Sequence, residues 1–258
     1  MDYKKNYLKY KNKYLNLKQI IGGTHGPEDI PEPVDTSEST LTEEELKNFS
    51  DENIAFLPDN HFLKKLKKVY STVRFDTIDQ KDKYPNNIIT YGEMNYEGMH
   101  MIIDHLHTAH EISFKNFIDL GSGRGKLPLQ VASFPNVKKS IGIEIVKERH
   151  DDAEEIKDKL KKFDSIVKKV KFINNDVNDI ILNDITDDVT LVWISNKCFP
   201  QELTDQIFSK LITLPQGSVI TCSNEVSNID TNRIRKIDNL KVPMSWYPNS
   251  DVYFYIIE

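Results

Sequence analysis

The sequence contains little cysteine and no long apolar run. Its two cysteines, Cys198 and Cys222, lack C-x-x-C spacing, so we expect neither a disulfide framework nor a cysteine-rich zinc site. No apolar stretch approaches the roughly 18 to 20 residues that span a bilayer, and the first residues lack the apolar core of a signal peptide. We therefore expect a soluble intracellular protein of a reducing compartment, without a membrane partner.

Charge is unevenly distributed along the chain. The net charge is −6, yet residues 1–23 carry six lysines and one aspartate, whereas residues 24–60 carry eleven acidic residues and one lysine. An evenly spread negative charge would argue against a nucleic-acid partner. The lysine-rich N-terminus keeps DNA as a candidate partner.

Composition divides the chain into four predicted regions. Residues 1–23 place tyrosine, leucine and isoleucine at helical spacing among lysines, which predicts a basic amphipathic helix. Residues 24–50 are rich in proline, serine, threonine and acids and predict an acidic disordered linker. Residues 51–110 predict a helical N-terminal subdomain, and residues 111–258 predict an α/β domain.

The basic helix has several open interpretations. It packs on its own domain or a partner, faces nucleic acid, or lies on a membrane surface. Residues 1–23 are also similar to the lysine- and tyrosine-rich leader ending in Gly-Gly of giant DNA virus proteins. That resemblance implies a viral source.

The α/β domain alternates predicted strands and helices, so a doubly wound parallel sheet is expected. The last two predicted strands, 241–246 and 251–258, are joined by Tyr-Pro-Asn-Ser and form a hairpin. Seven strands with a terminal antiparallel hairpin, preceded by a small helical region, are typical of the class I, Rossmann-like methyltransferases.

The first β-α connection reads D-x-G-x-G-x-G, formed by Asp119, Gly121, Gly123 and Gly125. Glycines there allow sharp turns and a close backbone approach to a ligand. The dinucleotide fingerprint G-x-G-x-x-G would need glycine where Lys126 stands. Asp119 would repel a pyrophosphate but suits the amino group of a methionine moiety, so the loop favours S-adenosylmethionine.

Two further acids follow the next two predicted strands. Glu144 lies where a carboxylate can bind ribose hydroxyls. Asp176 is placed to meet the adenine amino group, with Val177 packed on the ring. Each acid alone has an alternative interpretation as a helix cap or a solvated residue, but the three acids together favour this cofactor.

Six segments stand in a characteristic order over roughly residues 85–258: "YGEMNYEGMHMIID", "FIDLGSGRGKLPLQVA", "GIE", "NND", "ISNKCFP" and "MSWYPNSDVYFYIIE". In these segments the chain resembles the disruptor-of-telomeric-silencing family, histone H3 lysine methyltransferases without a SET domain. The resemblance implies cofactor-binding roles for Tyr91, Glu93, Asp119, Gly121, Gly123, Lys126, Glu144, Asp176 and Val177. It implies that Asn196, Phe199, Trp246 and Tyr253 surround a lysine channel. The family has a second asparagine where Ser195 stands and a threonine where Met94 stands.

The resemblance implies an S-adenosylmethionine-dependent enzyme that methylates a lysine on the core face of histone H3, of the lysine-seventy-nine type, in nucleosomes. Residues 111–258 would be its catalytic domain. The alternatives are a class I methyltransferase of another protein, RNA or a small molecule, and a chromatin-binding pseudoenzyme. The implied setting is a monomer in the nucleus, or at viral chromatin or the virion, that binds DNA through the lysine-rich N-terminus.

The family anchors to the histone acidic patch through arginines in a loop before the last hairpin. Arg233 and Arg235 are the candidates here. The alternation of these charged residues along the chain equally predicts an exposed strand.

Four histidines, His100, His105, His107 and His110, cluster near the end of one predicted helix. No cysteine or acid stands at ligand spacing beside them, so the sequence predicts no metal site.

Overall fold

One seven-stranded sheet organises the part of the chain that the structure describes. The computed structural model describes residues 58–73, 92–182, 186–227, 229 and 232–258, which belong to a unit that begins at Pro58. The predicted basic helix and acidic linker lie outside these residues, as does Tyr91. None of the described helices is long and apolar enough to cross a bilayer.

The sheet has the order β3-β2-β1-β4-β5-β7-β6. Its strands are β1 Asn116–Leu120, β2 Lys139–Glu144, β3 Val170–Asn174, β4 Thr190–Ile194, β5 Val219–Cys222, β6 Ile234–Val242 and β7 Ser250–Ile257. Strands β1 to β5 are parallel, and β7 runs antiparallel between β5 and β6. This arrangement confirms the predicted class I methyltransferase fold.

Six α-helices accompany the sheet within the described residues. They are α1 Asn60–Thr72, α2 Tyr96–His110, α3 Lys126–Ala132, α4 Lys147–Lys159, α5 Asp164–Val167 and α6 Gln201–Leu211. Helix α1 begins where Asp59 Oδ1 accepts a hydrogen bond of 2.9 Å from the Phe62 N–H, a standard N-cap. Its buried face includes Phe62, Leu66 and Val69.

Helices cover both faces of the sheet, and successive residues of each strand point to these two faces in turn. Ile118 and Ile141 on one face join an apolar cluster with Phe208 of α6. On the other face, Phe172 of β3 packs with residues of α1, α3 and α4. Burial on both faces explains why the central strands are almost wholly apolar.

The terminal hairpin differs from its predicted boundaries. Strand β6 begins at Ile234 and ends at Val242, because Pro243 has no N–H to continue the ladder. Met244 instead forms an isolated antiparallel bridge with Met94. Residues 243–246, which the sequence places in the predicted strand 241–246, therefore lie outside β6 and beside the segment before α2.

Gly125, which precedes α3, offers a stability test. Its φ is +76°, and an added Cβ would lie 2.6 Å from Phe172 Cε1 and 2.9 Å from Ala153 Cβ. We expect Gly125→Ala to destabilise the protein by about 2 to 5 kcal/mol, which combines left-handed backbone strain with overpacking. Urea unfolding would measure the loss.

The matched control for this substitution is Gly217→Ala. Gly217 has a similar φ of +84°, but the nearest atom to an added Cβ is Val189 Cγ2 at 3.9 Å. Only the backbone strain of about 1 to 2 kcal/mol is then expected. Equal losses for the two variants would show that close packing is not the reason for glycine at Gly125.

Candidate functional site

A cavity of about 650 Å³ lies at the carboxyl ends of the parallel strands. Its size is that of a small-molecule site, and its position is where open α/β sheets bind ligands. Ten of the predicted site residues line it: Glu93, Asp119, Gly121, Gly123, Lys126, Glu144, Asp176, Val177, Phe199 and Trp246. The structure thus brings most of the candidate residues to one place.

The glycine loop is held against strand β2. The N–H groups of Gly121 and Ser122 both donate to the Ile143 carbonyl at 2.9 Å. Gly121 has φ +82°, and the nearest atom to an added Cβ would be Phe199 Cζ at 3.8 Å. Gly121 therefore places no side chain in the cavity, and a ligand can approach the backbone there.

Asp119 ends up buried at the base of this cavity, 3% exposed. Burial raises the pKa of Asp119 well above its usual range, the nearby acids Glu144 and Glu93 raise it further, and only Lys126 opposes them. The described residues supply no hydrogen bond that would lower this pKa. A buried carboxyl in such a setting favours a cationic ligand, which would compensate its charge.

Glu144 is oriented by the backbone. Its Oε2 accepts from the Gly123 N–H at 2.7 Å and its Oε1 from the Val146 N–H at 2.8 Å. Burial nevertheless raises the pKa of Glu144, although these bonds and nearby Arg149 act in the opposite direction. The carboxylate is therefore fixed in the cavity wall, and its remaining lone pairs can accept from ligand hydroxyls.

Asp176 both caps a turn and lines the cavity, which are the two roles that the sequence leaves open for it. Its Oδ1 accepts from the Asn178 N–H at 2.8 Å and caps a short 3-10 turn, residues 177–179. Asp176 and Val177 also line the cavity. Capping and ligand binding are compatible here, since the second carboxylate oxygen is not used by the cap.

The residues before α2 and the turn before β7 form a shared wall of the cavity. The Glu93 N–H donates to Ser245 Oγ at 3.0 Å, and the Ser245 N–H donates back to the Glu93 carbonyl at 2.8 Å. The Glu93 carboxylate forms an ion pair with Lys126 at the start of α3. The wall thereby connects the glycine loop with the two segments that the family resemblance singled out.

Trp246, the residue after Ser245, belongs to the same wall, and it is 41% exposed. An added Cβ at Gly92 would lie 2.5 Å from Trp246 Cε3 and Cζ3, so the indole packs against the Gly92 backbone. Phe199 lines the same cavity from the segment after β4. The two rings give the cavity an aromatic boundary.

Of the predicted site residues that the structure describes, three do not line the cavity. Gly125 packs tightly against Phe172 of β3 and Ala153 of α4. Asn196 is buried in the segment after β4, where its Oδ1 accepts from the Asn224 N–H at 2.7 Å. Tyr253 sits on β7 with Lys236 Nζ 5.0 Å from its ring centroid.

Several lining residues were missed by sequence reasoning. Arg149, in the first turn of α4, is 6% exposed and faces the cavity. Trp193 of β4 and Leu203 of α6 also contribute to the lining. Arg149 and Leu203 belong to no local motif that would mark them as cavity residues. Only Trp193 has a usable signal, which is its position near the end of strand β4.

Comparison with known proteins places these features in a family. Residues 72–254 match the sequence profile described as "Histone methylation protein DOT1". A Caenorhabditis elegans protein named "Histone-lysine N-methyltransferase, H3 lysine-79 specific" is 31% identical over 186 residues, 65% of this chain and 19% of that protein. This chain thus spans about a fifth of the length of that relative.

Solved structures show similar overall arrangements. A putative RNA methyltransferase from Pyrococcus horikoshii is 14% identical with a TM-score of 0.49, over 77% of this chain and 97% of that one. An S-adenosylmethionine-dependent methyltransferase from Clostridium acetobutylicum is 13% identical with a TM-score of 0.46, over 63% and 92%.

Proposed function

Since the chain belongs to the DOT1 family of histone methylation proteins, we propose that it uses S-adenosylmethionine to methylate histone H3 in nucleosomes. The proposed acceptor is the lysine-79 type side chain for which its C. elegans relative is named. The observation that carries the proposal is the shared wall, which holds Trp246 beside the acid-lined glycine loop.

The cavity fits the proposed cofactor. Asp119 is a buried carboxyl without a compensating hydrogen bond, which suits an ammonium group. Gly121 leaves its side open, and Glu144 and Asp176 present oxygens to hydroxyl and amino groups. When bound, S-adenosylmethionine supplies an electrophilic methyl group on a sulfonium.

The acceptor amine must lose its proton before it can attack. A free lysine has a pKa of about 10.4, so the neutral form at pH 7 costs roughly 4.6 kcal/mol. Trp246 and Phe199 lower this cost by excluding water, because desolvation disfavours the ammonium form. The same rings hold the amine in line with the cavity, which supplies rate through positioning without a dedicated base.

The roles of Asn196 and Tyr253 belong to this proposal as well. Asn196 binds the Asn224 N–H and the Ser223 hydroxyl, so we propose that it positions the segment carrying Phe199. Tyr253 would meet the acceptor only after the peptide displaces Lys236 from its ring. The cofactor role of Tyr91 rests on the sequence motif alone.

Two further parts of the chain are proposed to contact the nucleosome. Arg233 and Arg235 remain the candidates for the histone acidic patch, but Arg233 donates to the Glu258 carbonyl at 2.8 Å and Arg235 pairs with the Glu258 carboxylate. Binding to the acidic patch would have to replace these bonds. We propose that residues 1–23 contact DNA, that the protein acts as a monomer at chromatin, and that its source is viral.

The decisive test is mass spectrometry of recombinant nucleosomes after incubation with the protein and S-adenosylmethionine. Methylation on the core face of H3 is expected. Calorimetry with the cofactor alone is the companion measurement. Bound cofactor without methylated H3 would redirect the search to another protein, RNA or a small molecule, and absent binding would identify a pseudoenzyme.

A further inference from the structure

Three potential metal ligands converge between α2 and the edge strand β6. His105 Nε2 lies 2.7 Å and His110 Nε2 lies 3.2 Å from the same oxygen, Asp238 Oδ2. One ligand atom from each residue lies within 4.8 Å of the others. None of the three lines the cofactor cavity.

These distances are close to those of a metal site. Zinc binds histidine nitrogen and carboxylate oxygen at about 2.0 to 2.2 Å, which places neighbouring ligands of a tetrahedral site about 3.3 Å apart. Small rotations of the side chains would therefore admit the ion. Imidazole and carboxylate ligands together suit Zn²⁺ rather than the oxygen-seeking Ca²⁺ or Mg²⁺.

The surrounding structure holds each ligand in place. Strand β6 changes its register between Lys236 and Asp238, and such a bulge re-aims the side chains that follow it. Asp238 Oδ1 accepts from the Asn239 N–H at 2.7 Å, which leaves Oδ2 directed at the histidines. The His105 ring packs edge-to-face on buried Phe254, with 5.5 Å between centroids. Such support behind a ligand is typical of metal sites.

Charge and access also favour a cation. His110 is the last residue of α2, and the carbonyl end of a helix carries partial negative charge. The side chains of His105 and His110 are 14% and 21% exposed, and that of Asp238 is 35% exposed. An ion can enter from solvent and keep water as a fourth ligand.

We propose that His105, His110 and Asp238 bind a Zn²⁺ ion that fastens α2 to β6. The proposal departs from the sequence-based expectation of no metal site, because the acid is supplied from 133 residues away. The ion would reinforce the packing of α2, the helix that begins just after the shared wall. The zinc proposal is independent of the methyl-transfer proposal.

The test uses the full chain, freed of metal with a chelator and titrated with zinc chloride. When the free zinc concentration is 100 times the dissociation constant, zinc should raise the Tm by about 5 to 10 °C. His110→Gln and Asp238→Asn should lower zinc affinity at least tenfold and remove most of this shift. His107→Gln, on the same helix but outside the cluster, is the matched control and should keep it.

Two outcomes would overturn the proposal: no zinc-dependent shift in the unmodified protein, or an equal shift in Asp238→Asn. Near-UV circular dichroism of the metal-free variants establishes that they are folded. Should His110→Gln fail to fold, Asp238→Asn still decides, since asparagine retains the size and hydrogen-bonding capacity of the side chain. Visible absorption of the cobalt-substituted protein, lost in Asp238→Asn but kept in His107→Gln, should confirm the ligands.

Discussion

Replacement of Asp119 by asparagine is expected to weaken S-adenosylmethionine binding at least about 100-fold and to abolish methyl transfer. The reason is that a buried cation loses its carboxylate partner, a loss of about 3 to 5 kcal/mol. Isothermal titration calorimetry would measure the affinity. Asp151→Asn changes an exposed acid that pairs with Lys147, and this control should bind the cofactor normally.

The same substitution should stabilise the protein without cofactor. Burial, with Glu144 and Glu93, raises the pKa of Asp119 in the folded state, whereas the unfolded value is about 3.9. Between these two pKa values the unfolded chain releases its proton first, so the free energy of unfolding falls as the pH rises. Asp119→Asn removes this contribution.

Thermal unfolding of the cofactor-free protein across pH would test the sign. The Tm of the unmodified protein should decline more steeply above about pH 4 than that of Asp119→Asn. Cofactor binding should release protons, because a cation next to Asp119 favours its ionised form. Parallel pH profiles for the two proteins would contradict this account of the site.

Replacement of Trp246 by alanine is expected to lower the rate of H3 methylation at least about 100-fold while cofactor affinity changes less than about threefold. The indole forms the aromatic boundary, so in the proposed reaction its loss would admit water to the acceptor amine and remove its positioning. Since Trp246 is 41% exposed, folding should change little. Single-turnover kinetics with nucleosomes, beside cofactor calorimetry, would separate the two effects.

Gly92→Ala provides a subtler version of this experiment. The added methyl group would approach the Trp246 ring to 2.5 Å and must displace it, while the exposed ring has room to move. We expect stability within about 0.5 kcal/mol of the unmodified protein and a rate lower by about tenfold or more. An unchanged rate would show that the observed position of the indole is not required for catalysis.

The sequence predicts this site well where the signal is local. Asp119, Glu144 and Asp176 stand near or just after the ends of β1, β2 and β3, and parallel strands bring such ends to one edge of the sheet. The same logic predicted the sheet up to β5. Only strand periodicity and glycine spacing were needed.

Contacts between distant segments were beyond that logic. The start of β6 entered the sequence analysis only as the alternative interpretation of Arg233 and Arg235, because an edge strand such as "IRKIDNLKV" carries few buried residues. The packing of Trp246 on Gly92 and the meeting of His105 with Asp238 depend on how the hairpin docks on the sheet. No spacing within one segment encodes such contacts.

The strand order has a consequence for how the protein acquires its shape. Strand β6 is made before β7 but pairs only with β7 in the described sheet. It therefore joins the sheet only after β7 has docked on β5, or together with β7 as a hairpin. Loop-closure entropy makes such distant pairings slow to form. We expect the glycine loop to mature first, and the wall with Trp246 to be completed only in the last step of folding.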